Sequence, residues 1–355
     1  MTSLHVVVPD GVDDPTRPSG GNVYDREICD GLAAAGWSVH EHPVPGAWPC
    51  PDGAATAALA DVVGAIPDGA TVLVDGLIGS TVPGVLAAAA TRLRLVVLVH
   101  MPLGDGPPGH RVRDARDRER DVLRAAAAVI TTSAWTREKL LSDYALAVDR
   151  VHVAEPGTRP AAPAPGTAGG GRLLCVAAVT RQKGHDLLLA ALAGIRDLSW
   201  HCDVVGSLER EPGFVAALRR QAEALHVGDR VAFRGTQVRD RLDSAYAAAD
   251  VLVLPSRAET FGMVVSEALA RGLPVIATGV GGVPGALGRA PDGRPPGLLV
   301  RPADQQALAA ALRGWLSDAE LRARLRRAAA QRRPMLPRWS ATVDCVVRVL
   351  AAVAA

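Results

Sequence analysis

Two glutamates eight positions apart, Glu259 and Glu267, are the residues of this chain best placed to do chemistry. They lie in the stretch Ser256-Arg257-Ala258-Glu259-Thr260-Phe261-Gly262-Met263-Val264-Val265-Ser266-Glu267. The apolar run 251–255 precedes it and reads as a strand; a helix is expected to begin near Phe261 or Gly262. At ~3.6 residues per turn, Glu267 falls about two turns inside that helix. A helix start offers free N–H groups and the positive end of the helix dipole, which together attract an anion. Carboxylates take paired hydrogen bonds from vicinal hydroxyls. Glu259, Thr260, Phe261, Gly262, Met263 and Glu267 therefore suit a sugar diphosphate, with hydroxyls on the carboxylates and phosphates at the helix end.

Other residues could serve the same ligand. Thr180-Arg181-Gln182-Lys183-Gly184 follows a strand, and Lys183 and Arg181 can each meet a phosphate, Arg181 with two bonds. Ser19-Gly20-Gly21-Asn22 opens a helix, where Gly20 and Gly21 allow close approach and Asn22 can cap. His100 closes the apolar run Val97-Leu98-Val99. A histidine there is often a packed residue, yet strand ends of open α/β sheets face ligands. Gly206 and Ser207 follow a third strand and border a base or ribose in this reading.

The elements that must carry these residues repeat in two halves. In the first, 4–8, 71–74, 95–100 and 128–131 read as strands, with a helix over about 23–35. In the second, the strands are 172–179, 201–205, 231–234, 251–255 and 274–277. Short apolar strands alternating with helical patterns imply parallel sheets joined by right-handed crossovers. Residues 158–171 are rich in Pro, Ala, Gly and Thr and read as a linker between domains 1–157 and 172–335. A basic helix is expected over 319–332, with a solvated face, and a last helix within 336–355.

The stretch from Ser256 through Glu267 to Thr278 resembles the E-x7-E signature of glycosyltransferase family 4. The next segment, Gly279-Val280-Gly281-Gly282-Val283-Pro284, is similar to a glycine pair of that family. The resemblance implies the GT-B fold: α/β, with two facing Rossmann-like domains, parallel sheets and an inter-domain cleft. It also implies a retaining enzyme that takes a nucleotide-diphosphate sugar and needs no metal or other cofactor. By the same resemblance Glu259 contacts sugar hydroxyls, Glu267 the ribose, and the N–H groups of Phe261, Gly262 and Met263 the diphosphate or sugar. Lys183 neutralises the leaving diphosphate, His100 contacts the transferred sugar, and Gly20 and Gly21 close over the donor. His100, Glu259, Lys183 and Arg181 are then the catalytic candidates, and the last helix is expected to pack back on the first domain. Two departures stand out: Ala178 where many members carry arginine, and Gly285 or Ala286 where an acidic residue is usual.

Composition limits the alternatives. The 355 residues carry a net charge of +2 and 3% aromatics, which disfavours nucleic acid as a partner. Five scattered cysteines form no C-x-x-C pair, so a disulfide framework is not expected and a cytoplasmic location is. The longest apolar stretch, 82–99, is broken by Arg92 and Arg94, so no transmembrane segment is expected. The acceptor is unnamed; the lack of large exposed apolar anchors tilts towards a small molecule. The competing readings are a sugar-nucleotide epimerase of the same fold and a nucleotide-sugar-binding protein with weakened catalysis.

Overall fold

The computed structural model describes residues 2–16, 18–105 and 110–355. The chain forms two compact units. One is built from Met1–Asp14, Ser19–Gly157 and Arg338–Ala355, the other from Pro15–Pro18 and Thr158–Pro337. Each is an α/β unit around one six-stranded parallel sheet.

The first sheet contains β1 (Ser3–Pro9), β2 (Ser38–Val44), β3 (Thr71–Asp75), β4 (Arg94–Val99), β5 (Ala128–Thr131) and β6 (Val151–Val153). Their order across the sheet is β2-β1-β3-β4-β5-β6. The second contains β7 (Arg172–Val176), β8 (His201–Val205), β9 (Val231–Gly235), β10 (Val251–Leu254), β11 (Val275–Thr278) and β12 (Gly297–Val300). Its order is β12-β11-β10-β7-β8-β9. The central strands are apolar on both faces because helices cover both sides; Val251 to Leu254 are all at most 1% exposed. In each sheet the winding reverses once, between β1 and β3 and between β7 and β10. Open α/β sheets bind ligands beyond the carboxyl ends of the strands at such a point.

Three strands, β2, β6 and β12, were not expected from sequence, and all three lie at sheet edges. β2, Ser-Val-His-Glu-His-Pro-Val, is largely polar because an edge strand has one partner and much open surface. The first helix starts at Gly20 rather than near 23, and its cap is Ser19, whose Oγ accepts the Asn22 N–H at 3.0 Å; Asn22 is not the cap. The last helix, Trp339–Ala354, packs on Gly20–Ala34, with Val343 filling the space above Gly31. Thr342 Oγ1 donates to the Glu155 carbonyl at 2.7 Å, and Trp339 meets Tyr24 edge-on.

Residues 158–171 lie along the second unit. Asp250, 1% exposed, holds this segment: it accepts from the Thr167 N–H, from Thr167 Oγ1 at 2.7 Å and from the Arg172 N–H at 2.9 Å. Arg326 completes the shell at 3.0 Å. The arginines of Ala319–Arg332, expected from sequence to form a solvated face, are thus not all solvated. Arg322 donates to the Trp315 and Leu316 carbonyls, and Arg326 also donates to that of Thr167. Asp250→Asn keeps the volume but removes the charge from four donors, so stability should fall by about 2 kcal/mol. Urea unfolding of both proteins checks this, and an unchanged midpoint would refute it.

Candidate active site

In the second unit three loops converge at the reversal of the sheet. The first, 177–184, leaves β7; the second, 255–262, leaves β10; the third, 279–282, leaves β11. Backbone contacts lock them together. The Arg257 N–H donates to the Gln182 carbonyl at 2.8 Å, and the Gly282 N–H to that of Glu259 at 3.1 Å. Thr278 Oγ1 donates to the Ser256 carbonyl. Gly184, at φ +69, and Gly281, at φ +51, lie against the carbonyls of Pro255 and Glu259, where a Cβ has no room. The glycines around Lys183 and after β11 are there because backbone meets backbone.

This frame brings Lys183 and Glu259 together from opposite sides of the reversal. Lys183 Nζ donates to Glu259 Oε1 at 2.7 Å, and Ser256 Oγ donates to the same oxygen at 2.7 Å. The two side chains are 26% and 11% exposed, so the pair is sheltered yet reachable. The helix after the loop, Met263–Ala270, starts two residues later than the first position expected. Its cap is Gly262 in the left-handed region at φ +89, and glycine supplies no side-chain cap bond to the helix's first N–H groups. Phe261 is a core residue, 6% exposed, while Thr260 and Met263 are partly buried.

Glu267 sits one turn into this helix, not two. It accepts a bond from Tyr246 Oη at 2.7 Å. Burial raises its pKa, and the Tyr246 bond and nearby Arg271 work the other way. Tyr246 was not singled out in sequence; as an apolar-periodic helix residue it carried no signal. Arg181 does not join the pair. Its side chain is 76% exposed, lies near Glu211 and stacks over Phe214 at 5.0 Å, because the nearby acid turns it outward. Arg257 instead clamps the loop from within, donating to Asp186 at 2.8 and 2.7 Å and to the Arg181 carbonyl at 2.7 Å. Gly206, at φ +151, is packed against the Ala177 carbonyl and bonds Gly235, so glycine there is required by the backbone itself. Gly285 has open space around it and Ala178 is partly buried.

The first unit holds Gly20, Gly21 and His100. Gly20 is exposed, and Gly21 lies so close to the His100 ring that a Cβ would sit 3.4 Å from its Cδ2. His100 follows β4 and bonds Asp25 Oδ1 through Nε2 at 2.8 Å; Asp75 Oδ2 is 3.4 Å from the same nitrogen. Neither aspartate was singled out in sequence. Asp75 had a readable signal, a carboxylate ending the apolar run Thr71-Val72-Leu73-Val74 beside the sheet reversal. Among the described residues all five cysteines are free, and no helix is long and apolar enough to cross a membrane.

Known proteins resemble this chain in sequence and in fold. Residues 168–332 match the family described as Glycosyl transferases group 1. A D-inositol 3-phosphate glycosyltransferase of Nocardiopsis dassonvillei is 34% identical over 292 residues, 74% of this chain and 65% of that protein. The chain spans less than two thirds of the length of the curated relatives it matches first. The sucrose-phosphate synthase of Thermosynechococcus elongatus has a TM-score of 0.80 at 24% identity, covering 99% of both chains. The Anabaena protein HepE, solved in complex with UDP-glucose, has a TM-score of 0.78 at 17% identity, over 99% of this chain and 100% of that one. The chain thus has the GT-B fold of these glycosyltransferases, and its second unit carries a Glycosyl transferases group 1 domain.

Proposed function

We propose that this protein is a retaining hexosyltransferase of glycosyltransferase family 4 that moves a sugar from a nucleotide-diphosphate donor to an acceptor hydroxyl. The observation that carries it is the Lys183–Glu259 pair at the reversal of the second sheet, inside the segment that matches the group 1 family. The likeness to HepE, solved with UDP-glucose, favours a uridine donor. The relative named D-inositol 3-phosphate glycosyltransferase favours a small phosphorylated polyol as acceptor. Free thiols suit a cytoplasmic setting.

In this reading the diphosphate lies at the start of Met263–Ala270, where the first N–H groups attract its charge. Lys183 turns to the diphosphate as negative charge grows on it, and this is the main stabilisation. Glu259 takes hydroxyls of the sugar, while Glu267, oriented by Tyr246, takes the ribose pair. His100 contacts the transferred sugar. The transition state has oxocarbenium character. No side chain is assigned as nucleophile; an oxygen of the departing phosphate accepts the acceptor proton. No metal takes part, because Lys183 and the backbone donors supply the positive charge.

Thermal unfolding with UDP, GDP, ADP and dTDP, each with and without EDTA, tests the donor site. A nucleotide at about 100 times its Kd adds about 2.7 kcal/mol and raises Tm by several degrees. UDP is expected to give the largest shift, and EDTA to leave it unchanged. No shift with any of the four nucleotides would sink the proposal, and loss of the shift in EDTA would sink its metal-free form.

A further inference from the structure

His100 is held in a way that packing alone does not require. Three separate elements meet on it: Asp25 from the helix Gly20–Ala34, Asp75 from the end of β3, and His100 itself after β4. Both aspartates are 4% exposed. Burying a carboxylate is costly unless it is paired, and a packed histidine needs only one acceptor. Here two are spent on one ring nitrogen, Nε2, at 2.8 and 3.4 Å. The ring has little freedom to turn: Gly21 lies against Cδ2 and Cγ, and Tyr24 meets it edge-on with centroids 5.2 Å apart. Asp75 is itself fixed, since its Oδ1 accepts the Leu77 N–H at 2.6 Å.

This arrangement dictates a protonation state. Both carboxylates face Nε2, so a proton must lie between them and the ring, and it rests on Nε2 because the imidazole is the more basic partner. With Nε2 protonated, Nδ1 is the ring nitrogen that neither carboxylate engages. Burial disfavours the imidazolium, but the two aspartates outweigh it and His100 is pushed up well above the ordinary histidine range. Burial also raises Asp25, with His100 opposing and Asp75 reinforcing the shift, so the cluster shares its protons. The other titratable groups facing it are Tyr24, kept neutral by burial, and beyond Tyr24 the thiol of Cys345 on the last helix.

We propose that Asp25 and Asp75 are positioning residues that hold His100 as an oriented imidazolium, so that Nδ1–H is offered as a fixed donor to a hydroxyl of the transferred sugar. This rests on the reading of His100 as a sugar contact. The carboxylates do a second thing: they offset the charge of the ring. A hydrogen-bond donor is thereby presented without a net cation beside a sugar carbon that becomes positive in the transition state.

The test has two independent arms. In the first, ¹⁵N spectra of the histidines, with His100 assigned by His100→Gln, are followed from pH 6 to 9. Both His100 nitrogens are expected to remain protonated at pH 8; a neutral ring there overturns the proposal. This arm needs no substrate and no variant of either aspartate, so it is decided even if no glycosyl transfer is found. In the second, Asp25→Asn and Asp75→Asn are assayed with the donor. Each should lower kcat about tenfold or more with UDP affinity within twofold of the parent. Asp25→Asn should also move the basic limb of the kcat profile to lower pH by about one unit, because losing the nearer anion lowers the imidazolium pKa. A parent-like kcat and profile in both variants overturns the proposal. So does stoichiometric binding of Mn²⁺ or Zn²⁺ that is lost in His100→Gln, since the three ligand atoms lie within 4.8 Å of one another and would then be an ion site.

Discussion

Lys183→Ala should lower turnover by about 100-fold or more, the effect of losing one preorganised charge-stabilising donor. The lysine is 26% exposed and pairs with Glu259, which keeps the Ser256 bond when the lysine is cut away. The fold should therefore survive, and circular dichroism and Tm should stay close to the parent. The loss should appear in kcat more than in KM, because charge grows on the diphosphate as the bond to the sugar breaks. UDP binding weakens too, but by less. Lys183→Arg is the informative companion. Its planar fork is wider than an ammonium and would have to leave Glu259 in another geometry, so it should recover only part of the rate. Turnover of Lys183→Ala within threefold of the parent would remove the lysine from leaving-group stabilisation. The Lys183–Glu259 pair would then be a structural tie between the two loops.

Much of this second-unit site could be read from residue order because its parts lie close together in sequence. A buried strand, a polar loop and a helix start leave a local pattern, and Glu259 through Glu267 carried it. The same holds for Lys183 after β7. What sequence did not show depends on contacts between distant segments. Asp25 and Asp75 are 75 and 25 positions from His100, and nothing local says that a helix residue and a strand end will share one imidazole. Tyr246 reaches Glu267 from another helix. Arg181 has chemistry suited to a phosphate, but the partner it takes here, Glu211, lies 30 positions away and left no local signal. The three missed strands have a different cause. β6 has three residues and β12 four, and β2 is polar; each adds to a sheet edge, where neighbours rather than propensity decide.

Ala178 and Gly285 differ from the pattern that the family resemblance implies, yet the structure gives them unequal weight. Gly285 stands in open space on the five-residue helix Val283–Leu287, so its missing carboxylate leaves the surrounding packing intact. Ala178 lies in the loop that leaves β7, next to Val179, whose N–H donates to the Ser207 carbonyl. An arginine missing at that point removes a positive charge from the same side of the reversal as Lys183. Arg181 turns away towards Glu211, so it does not replace that charge. The positive charge of the proposed clamp then falls on Lys183 and the helix N–H groups, which is why its removal should be costly.

The glycines after β11 set the position of Glu259 and give the second large effect. Gly281→Ala should lower stability by about 3 kcal/mol and turnover at least about tenfold. Gly281 is at φ +51, in the left-handed region that an L side chain enters at a cost of about 1–2 kcal/mol. Its Cβ would also overlap the Glu259 carbonyl oxygen, which is backbone and cannot rotate away. The loop 255–262 would have to move, and the Gly282 N–H that holds the same carbonyl at 3.1 Å would move with it. A shift of about 1 Å at a reacting group can cost ~100-fold, so displacing Glu259 from Lys183 should register in rate as well as in Tm. Gly285→Ala is the matched control. That residue has a helical neighbourhood, no atom within 4 Å of the point where a Cβ would stand and no left-handed φ, so alanine should be neutral or slightly stabilising. Thermal unfolding and turnover of the two variants, measured side by side, decide the matter. Equal Tm values would mean that the loops after β10 and β11 are not locked through this glycine. A lowered Tm with unchanged turnover would mean that the lock serves the fold and leaves Glu259 free to find its own place.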